Sequence, residues 1–562
     1  MVDKLLGVGC IASGATLLML GAISVALAGA APDFRTVALT GTDGALGPGL
    51  GSEVEFGYQQ TFSNLLSFEA PVINDAGEVA FLGYLNIEGV LDRPFTRGIW
   101  SEGGGSGLET VALEGDSAPG TSAGVRLGNL QTFSTVINNE GKIAFSARVL
   151  STLDSLSDEG IWASDSNGLP QLIVLEGDPA PGTGDSGITF RTVEAFKLSD
   201  AGQIAFRGRL QGGGVNNLNN RGIWLSDDES GLQLMERVGN TVPPYGDFSD
   251  TEEPVLNDMG QIVFRGEARQ SDPSEPQYSG YWSVSGETGR ELVVISGTSA
   301  PGAGSGVTFR DFITASAFNN AGQVAFLAAV TGGQIVDFVN DRGIWFDGGD
   351  SELELIAMEG NPAPGAAPGE NFSSVGTPVL NSAGQVAFQG RIEDPDQPDR
   401  PAVWSNGGGS GLELIAQQGD AAPGTDANFI AFDVNPMLNG AGQVAFRAFF
   451  DGPGSNNQGI WATDADGQLQ LIVRTGILFD VNDDPMIEDL RTIRSLSLVT
   501  DNTSVRASGN EDGRRSAFND LGQIAFKLEF SSKQGAAFDS AGIFVSNLVA
   551  DDNDLIFSSR FE

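Results

Sequence analysis

The sequence predicts an all-β fold: an eight-bladed β-propeller of four-stranded antiparallel blades, its ring closed by the N-terminal strand completing the last blade. Three observations carry this. One phrase recurs eight times at near-constant spacing, two further phrases keep a fixed order around it, and the chain enters and leaves this cycle part-way through a repeat. The first phrase is Asn-x-x-Gly-x-x-Ala-Phe, seen at Asn74 to Phe81, Asn138 to Phe145, Ser199 to Phe206, Asn257 to Phe264, Asn319 to Phe326, Asn381 to Phe388, Asn439 to Phe446 and Asn519 to Phe526. Phe81 and Phe526 lie 445 residues and seven intervals apart, about 64 per unit, near the range of solenoid and propeller repeats.

In chain order, residues 1–30 come first. Lys4 is followed by an uncharged, largely apolar run from Leu5 to Ala31 that ends in small residues, with cleavage expected after Ala28 or Ala30. This reads as a secretory signal peptide, with an uncleaved signal anchor as the competing reading. The only thiol, Cys10, lies inside it.

Residues 34–547 form the propeller. Asn at the first position and Gly at the fourth of Asn-Asp-Ala-Gly is the pattern of a type I turn closed by a left-handed Gly, a common hairpin connection. The strand entering the turn is apolar, as at Pro378, Val379 and Leu380. On the way out, Val386 and Phe388 take one face while Gln385 and Ala387 take the other. A bulky face opposite a small face suits a sheet covered on both sides. The second phrase, Gly-Ile-Trp, is the third strand. It ends at Trp100, Trp162, Trp224, Trp282, Trp345, Trp404 and Trp461, all seven tryptophans of the chain, and at Phe544 in the eighth unit. Placement at one repeated strand position makes these rings inter-blade core rather than a sugar-stacking surface. The third phrase, as in Leu355 to Gly365, is a fourth strand ended by Gly-Asn-Pro-Ala-Pro-Gly, whose prolines stop further pairing.

Four short strands with sticky faces must stack on neighbours, and radial stacking is a propeller. The chain begins with the fourth-strand phrase, Thr36 to Gly41, and ends with the third-strand phrase, Gly542 to Asn547. The first strand therefore completes the last blade and latches the ring; an open stack, or two smaller propellers, is the competing arrangement. Residues 548–562 are a tail whose closing Asp554 to Glu562 is either a sorting tag or a final pairing strand, Leu555 to Phe557.

The three phrases together resemble the bacterial tandem-repeat proteins named after the Asn-x-x-Gly-x-x-Ala-Phe motif, in the group called choice-of-anchor proteins. The resemblance covers nearly the whole chain after the leader, with mild departures at Ser199 and Val263 and no C-terminal transmembrane segment with a basic tail. It implies an exported bacterial protein, surface-attached or released, with no catalytic residues to carry over.

Composition excludes several chemistries. The chain has no His, so neither a Ser/His/Asp or Cys/His nucleophile system nor a His-based metal site is available. With 73 Asp and Glu against 30 Lys and Arg, the net charge of -43 repels phosphate backbones, and nucleic acid is not an expected partner. No second apolar run is long enough to span a membrane. No catalytic or cofactor-binding residue is assigned. Asp480, Asn482 and Asp484 have the alternating spacing that opens a calcium loop, but Pro485 replaces its Gly and Arg491 stands where the closing Glu belongs, so Ca²⁺ is a weak candidate. Glu114, Asp116, Glu176, Asp178, Glu359 and Asp420 recur in blade connections, where they either cap turns or ring a rim that holds Ca²⁺.

The most individual stretch is Arg474 to Arg515, in the one interval that grows to 80 residues. It carries Arg474, Arg491, Arg494, Arg506, Arg514 and Arg515 with Asp483, Asp484, Glu488 and Asp489 among them. A departure from the repeat is where specificity is grafted onto a scaffold; a loop insertion with self-paired charges is the bland alternative. The expected function is a non-catalytic, monomeric binding module, extracellular or at the cell surface, for a glycan or an envelope protein. The alternative is a carbohydrate-active hydrolase or lyase working through Asp, Glu or Tyr at the propeller face. No phrase suggests the converging carboxylates that such an enzyme needs.

Overall fold

The computed structural model describes residues 34–547 apart from 42–45, 52–53, 58, 61–64, 88–95, 151–157, 166–167, 185–186, 228–230, 271–275, 287–288, 314–316, 350–352, 395–397, 434, 453, 455–456, 485, 500–512 and 532–539. The leader with Cys10, the tail with Leu555 to Phe557, Pro485 and Arg506 lie outside the described residues. Among those described, every regular element is a strand, and there is no helix long and apolar enough to cross a membrane.

Apart from a two-stranded pair, Gln59–Gln60 with Leu65–Leu66, the strands form eight antiparallel sheets arranged as a propeller, each running outward from an inner first strand to an outer fourth strand. In the third blade these are Ile188–Leu198, Ile204–Gly212, Arg221–Asp227 and Gly231–Arg237. In the eighth they are Leu490–Ser497, Ala525–Ser531 and Ser540–Ser546, with Phe34–Leu39 as the outer strand. Phe34 pairs with Ser546 and Leu39 with Gly542, so the N-terminal strand closes the ring as expected.

The predicted division of faces is how the blades stack. Val386, Phe388 and Trp404 pack against Ala325, Leu327 and Ile344 of the preceding blade, while Ala387 and Val403 meet Phe429, Phe446 and Trp461 of the following one. The closing interface is built identically, Ala525 and Ile543 of the eighth blade meeting Phe81 and Trp100 of the first. The phrase Phe and the phrase Trp are directly opposite in register, as at Phe326 and Trp345, with rings 6.5 Å apart and 18° from parallel.

The turn Asn has a second task that periodicity does not reveal. Asn319 accepts through Oδ1 from the N–H groups of Ala321 and Gln323, closing its own turn, and donates through Nδ2 to the carbonyl of Asn381 in the next blade at 3.0 Å. The same inter-blade bond runs from Asn74 to Asn138, Asn138 to Ser199, Asn257 to Asn319, Asn381 to Asn439, Asn439 to Asn519 and, across the seam, Asn519 to Asn74. A second inter-blade bond runs beside it, from the N–H of the following residue to a side chain of the next blade, as from Asp75 to Asn139, Asn139 to Asp200 and Asp258 to Asn320; at Ser199 this second bond, Asp200 N–H to the Asp258 carboxylate, is kept.

One element departs from expectation. The inner strand is split in the first, second, fifth, sixth and seventh blades. Pro71, Pro378 and Pro436 stand three residues before the turn Asn in three of these, and a residue without an N–H cannot continue the ladder. In the fourth blade Pro254, in the same place, accompanies a register shift. These defects all face the ring axis, so they shape the channel.

Candidate functional site

The eighth blade has the largest defect. Its inner strand stops at Ser497 and resumes near Phe518, which bridges to Ile524. The extra residues of the long interval therefore fall between the two halves of the innermost strand; 500–512 lie outside the described residues, and the chain is described again from Gly513. On its return the chain reaches across: Leu198 of the third blade donates its N–H to the carbonyl of Gly513 at 3.2 Å. Arg515 donates from Nε to the Thr135 carbonyl of the second blade at 3.0 Å and from Nη2 to the Ala70 carbonyl of the first at 3.2 Å, and Ile73 donates its N–H to the Ser516 carbonyl.

Beside this crossing lies a cavity of about 600 Å³. Its wall is built from Phe133 and Ser134 of the second blade, Val193 to Lys197 of the third, Asp250, Glu252 and Glu253 of the fourth, Ile313 of the fifth, and Gly513, Arg514 and Arg515. Glu159, Arg207, Arg209 and Arg221 complete it. Three non-glycine residues among those described have positive φ, and two of them, Phe133 at 58° and Ala195 at 53°, are in this wall. Such backbone costs about 1–3 kcal/mol per residue and persists where the surroundings over-determine it. Phe133 is held by its N–H bond to the Glu69 carboxylate at 2.8 Å.

The electrostatics are dense. Glu194 accepts from Arg207 at 2.8 Å and lies 3.5 Å from Arg209; Arg221 pairs with Asp250 at 2.5 Å; Glu252 pairs with Arg265, and Glu159 lies 3.5 Å from Arg148. Burial pushes the Glu194 carboxyl up, but the bonds from Arg207 and Thr192 and the charges of Arg207 and Arg209 outweigh it and hold it below the usual range. For Glu159 and Glu252 burial wins over the paired arginine and the carboxyls are raised. Arg515, 4% exposed, has backbone carbonyls as its hydrogen-bond acceptors. Burial lowers the pKa of its guanidinium against the opposing charge of Glu69, whose own carboxyl burial raises.

Of the described part of the basic stretch, the end reaches this site. Arg514 and Arg515 line it, whereas Arg491 pairs with Asp489 at 2.7 Å and Arg474 bonds the carbonyl of Thr475. The carboxylates that converge here were not legible as a group, because they come from three blades and only Glu159, at the head of Glu-Gly-Ile-Trp, belongs to a repeated phrase. The calcium candidates close Asx turns. Asp480 Oδ1 accepts from the N–H of Asn482 and of Asp489, Asn482 from Asp484, and Asp484 from Met486. Asp483 instead receives the Thr36 N–H of the closing strand. Among the described residues no cluster of three or more acidic or thiol groups is arranged to hold a metal ion.

Five of the six recurrent connection acids make bonds within the fold. Glu114, Glu176 and Glu359 each accept the N–H of the residue 17 positions earlier, at the start of the third strand, while Asp178 and Asp420 cap their own turns. The tryptophans are fully buried, and the indole N–H of Trp345 donates to the Pro301 carbonyl in the Ala-Pro-Gly connection at 3.0 Å. Trp100, Trp162, Trp224, Trp404 and Trp461 do the same with Pro48, Pro119, Pro181, Pro364 and Pro423. The eighth blade, whose connection has no such proline, carries Phe544, a ring with no N–H to satisfy.

Three overlapping stretches, 33–195, 176–405 and 396–550, match the family of unknown function DUF7453. The chain belongs to that family. No curated protein matches it. Among solved structures, the β-propeller domain of the Trilobed protease from Pyrococcus furiosus is similar at 12% identity and a TM-score of 0.35, over 76% of this chain and all of that one. The Pyrococcus horikoshii acylaminoacyl peptidase is similar at 12% identity and 0.36, over 74% of this chain and 54% of its own, so the match spans about half of the peptidase. The polysaccharide lyase Uly1 is similar at 11% identity and 0.33, over 77% and 92%. Likeness at this level carries no argument about activity for a DUF7453 chain.

Proposed function

We propose that this DUF7453 protein is an exported choice-of-anchor repeat protein, acting outside the cell or at its surface as a non-catalytic binding module for a glycan or an envelope protein, with the ligand seated in the central channel. The observation that carries this reading is the position of the one departure from the repeat. An insertion on an outer loop would decorate the rim; this one interrupts the innermost strand and sends Gly513 to Ser516 across the channel, beside a strained, charge-lined cavity. Binding sites are concave and combine apolar wall with a few placed polar groups, which describes Phe133, Phe196 and Ile313 among the arginines here. Arginine pairing of Glu159, Glu194, Asp250 and Glu252 gives these acids a structural occupation that does not call for a catalytic role.

The test is a glycan-array and envelope-fraction binding screen on the full chain, run with a turnover assay on the same polysaccharides. Binding without turnover is the expected outcome. Turnover that disappears in Glu194→Gln or Glu252→Gln would replace this reading with a carbohydrate-active hydrolase or lyase.

A further inference from the structure

The cavity concentrates the scarce charge of this chain. Of 30 Lys and Arg in 562 residues, six line it: Lys197, Arg207, Arg209, Arg221, Arg514 and Arg515. Five of the 73 acids accompany them. A surface with this composition attracts cations almost everywhere, and the channel is where that bias is cancelled. Most of the arginines have carboxylate partners, but Arg515 does not complete such a pair. Its Nε and Nη2 are spent on carbonyls and its Nη1 has no hydrogen-bond partner. The Nε atoms of Arg207 and Arg221 likewise have no hydrogen-bond partner, and that of Arg209 meets Glu194 only as an ion pair at 3.5 Å. Glu69 acts on Arg515 through its charge and not through a hydrogen bond, and a buried guanidinium N–H left without an acceptor is costly; an oxyanion beside it recovers that cost through charge-assisted hydrogen bonds.

We infer that the channel cavity is a binding site for a ligand carrying an oxyanion, a carboxylate or a sulfate, on a sugar-sized body, with Arg515 as the buried anchor. The volume of about 600 Å³ suits one to three sugar rings. Phe133 and Ile313, 38% and 37% exposed, supply an apolar platform next to the cation, and the Arg515 guanidinium lies 5.9 Å from the centre of the Phe133 ring. A ring face stacks on the platform while its acid group meets the guanidinium. This inference rests on the binding-module reading and names its ligand class.

Titration calorimetry of the full chain with digalacturonate, sulfolactose and neutral lactose tests it. The expected result is that at least one acidic sugar binds on the order of tenfold or more tighter than lactose, that raised salt weakens it, and that Arg515→Gln and Arg209→Gln each weaken it about tenfold. The two acidic probes separate a carboxylate from a sulfate preference, and either supports the proposal. Equal binding of lactose, no binding of either acid, or affinity unchanged in both variants overturns it. Should Arg515→Gln not fold, Arg209→Gln and Arg515→Lys carry the same comparison, since Arg209 is 41% exposed and anchors no other blade. If both acids fail while the wider screen returns another ligand, the anion assignment falls and the binding-module reading stands. An empty wider screen removes the latter.

Discussion

Single residues in this propeller act in pairs drawn from different phrases, and the pairing sets what each substitution does. The indole of Trp345 is tied to Pro301, whereas the Trp282 Nε1 has no partner, because the fourth connection reads Val-Pro-Pro in place of Ala-Pro-Gly. Trp345→Phe leaves a buried carbonyl unpaired and Trp282→Phe does not, so urea unfolding should find the former costlier by about 1 kcal/mol. Equal costs would mean that the bond contributes nothing. Two carboxylates, Glu359 buried and Asp200 half-buried, give a pH signature. Burial, then the charges of Asp258 and Asp75, raise Asp200 from 3.8 to about 6; burial, then the charge of Asp341, raises Glu359 from 4.5 to about 7. The folded protein holds both protons more tightly than the unfolded chain. Their contribution is therefore full below about pH 4 and lost as pH rises through about 6 and about 7. The melting temperature should climb as pH falls from 8 to 5, and Asp200→Asn and Glu359→Gln should each flatten that climb.

At the scale of elements, the closing strand is the most exposed claim about the ring. Phe34–Leu39 gives the eighth blade its outer edge, and Arg35 ties it to the first blade through Glu102 at 2.5 Å and the Gly77 carbonyl at 2.9 Å. Deleting residues 34–41 should uncover the Ser540–Ser546 edge, lower the melting temperature by several degrees and promote edge-to-edge association visible in light scattering. A monomeric deletion variant that melts as the parent does would show that the ring does not depend on its latch. The inner strands teach a complementary lesson. In the sequence Pro378 reads as part of an unbroken strand; Pro71, Pro378 and Pro436 explain three of the five breaks, while the second and fifth blades break without one, and that the breaks point at the axis is a property of stacking and not of a strand's own residues.

For the whole molecule, the net charge of -43 opposes compaction, so moderate NaCl should raise the melting temperature by screening self-repulsion. EDTA should leave it unchanged, since Asp480, Asn482 and Asp484 each turn one oxygen to a turn N–H and, among the described residues, are not grouped with further acids as a metal cage; a drop on chelation would show that calcium is bound. The amino-acid sequence by itself determined the blade: turn chemistry at each Asn and Gly, the bulky and small faces, the count of eight and the latch, all of which are local patterns repeated until they are unmistakable. It also marked Arg474 to Arg515 as the departure. Only the tertiary structure decided which part of that stretch matters, because Arg515 meets Ala70 and Thr135, residues 445 and 380 positions away. The cavity takes its wall from five blades, each contributing a few side chains, of which Glu194, Glu252 and Ile313 among others lie outside the repeat phrases. Such a site exists only once the ring has closed, since closure is what brings the first, second, third and eighth blades around one axis.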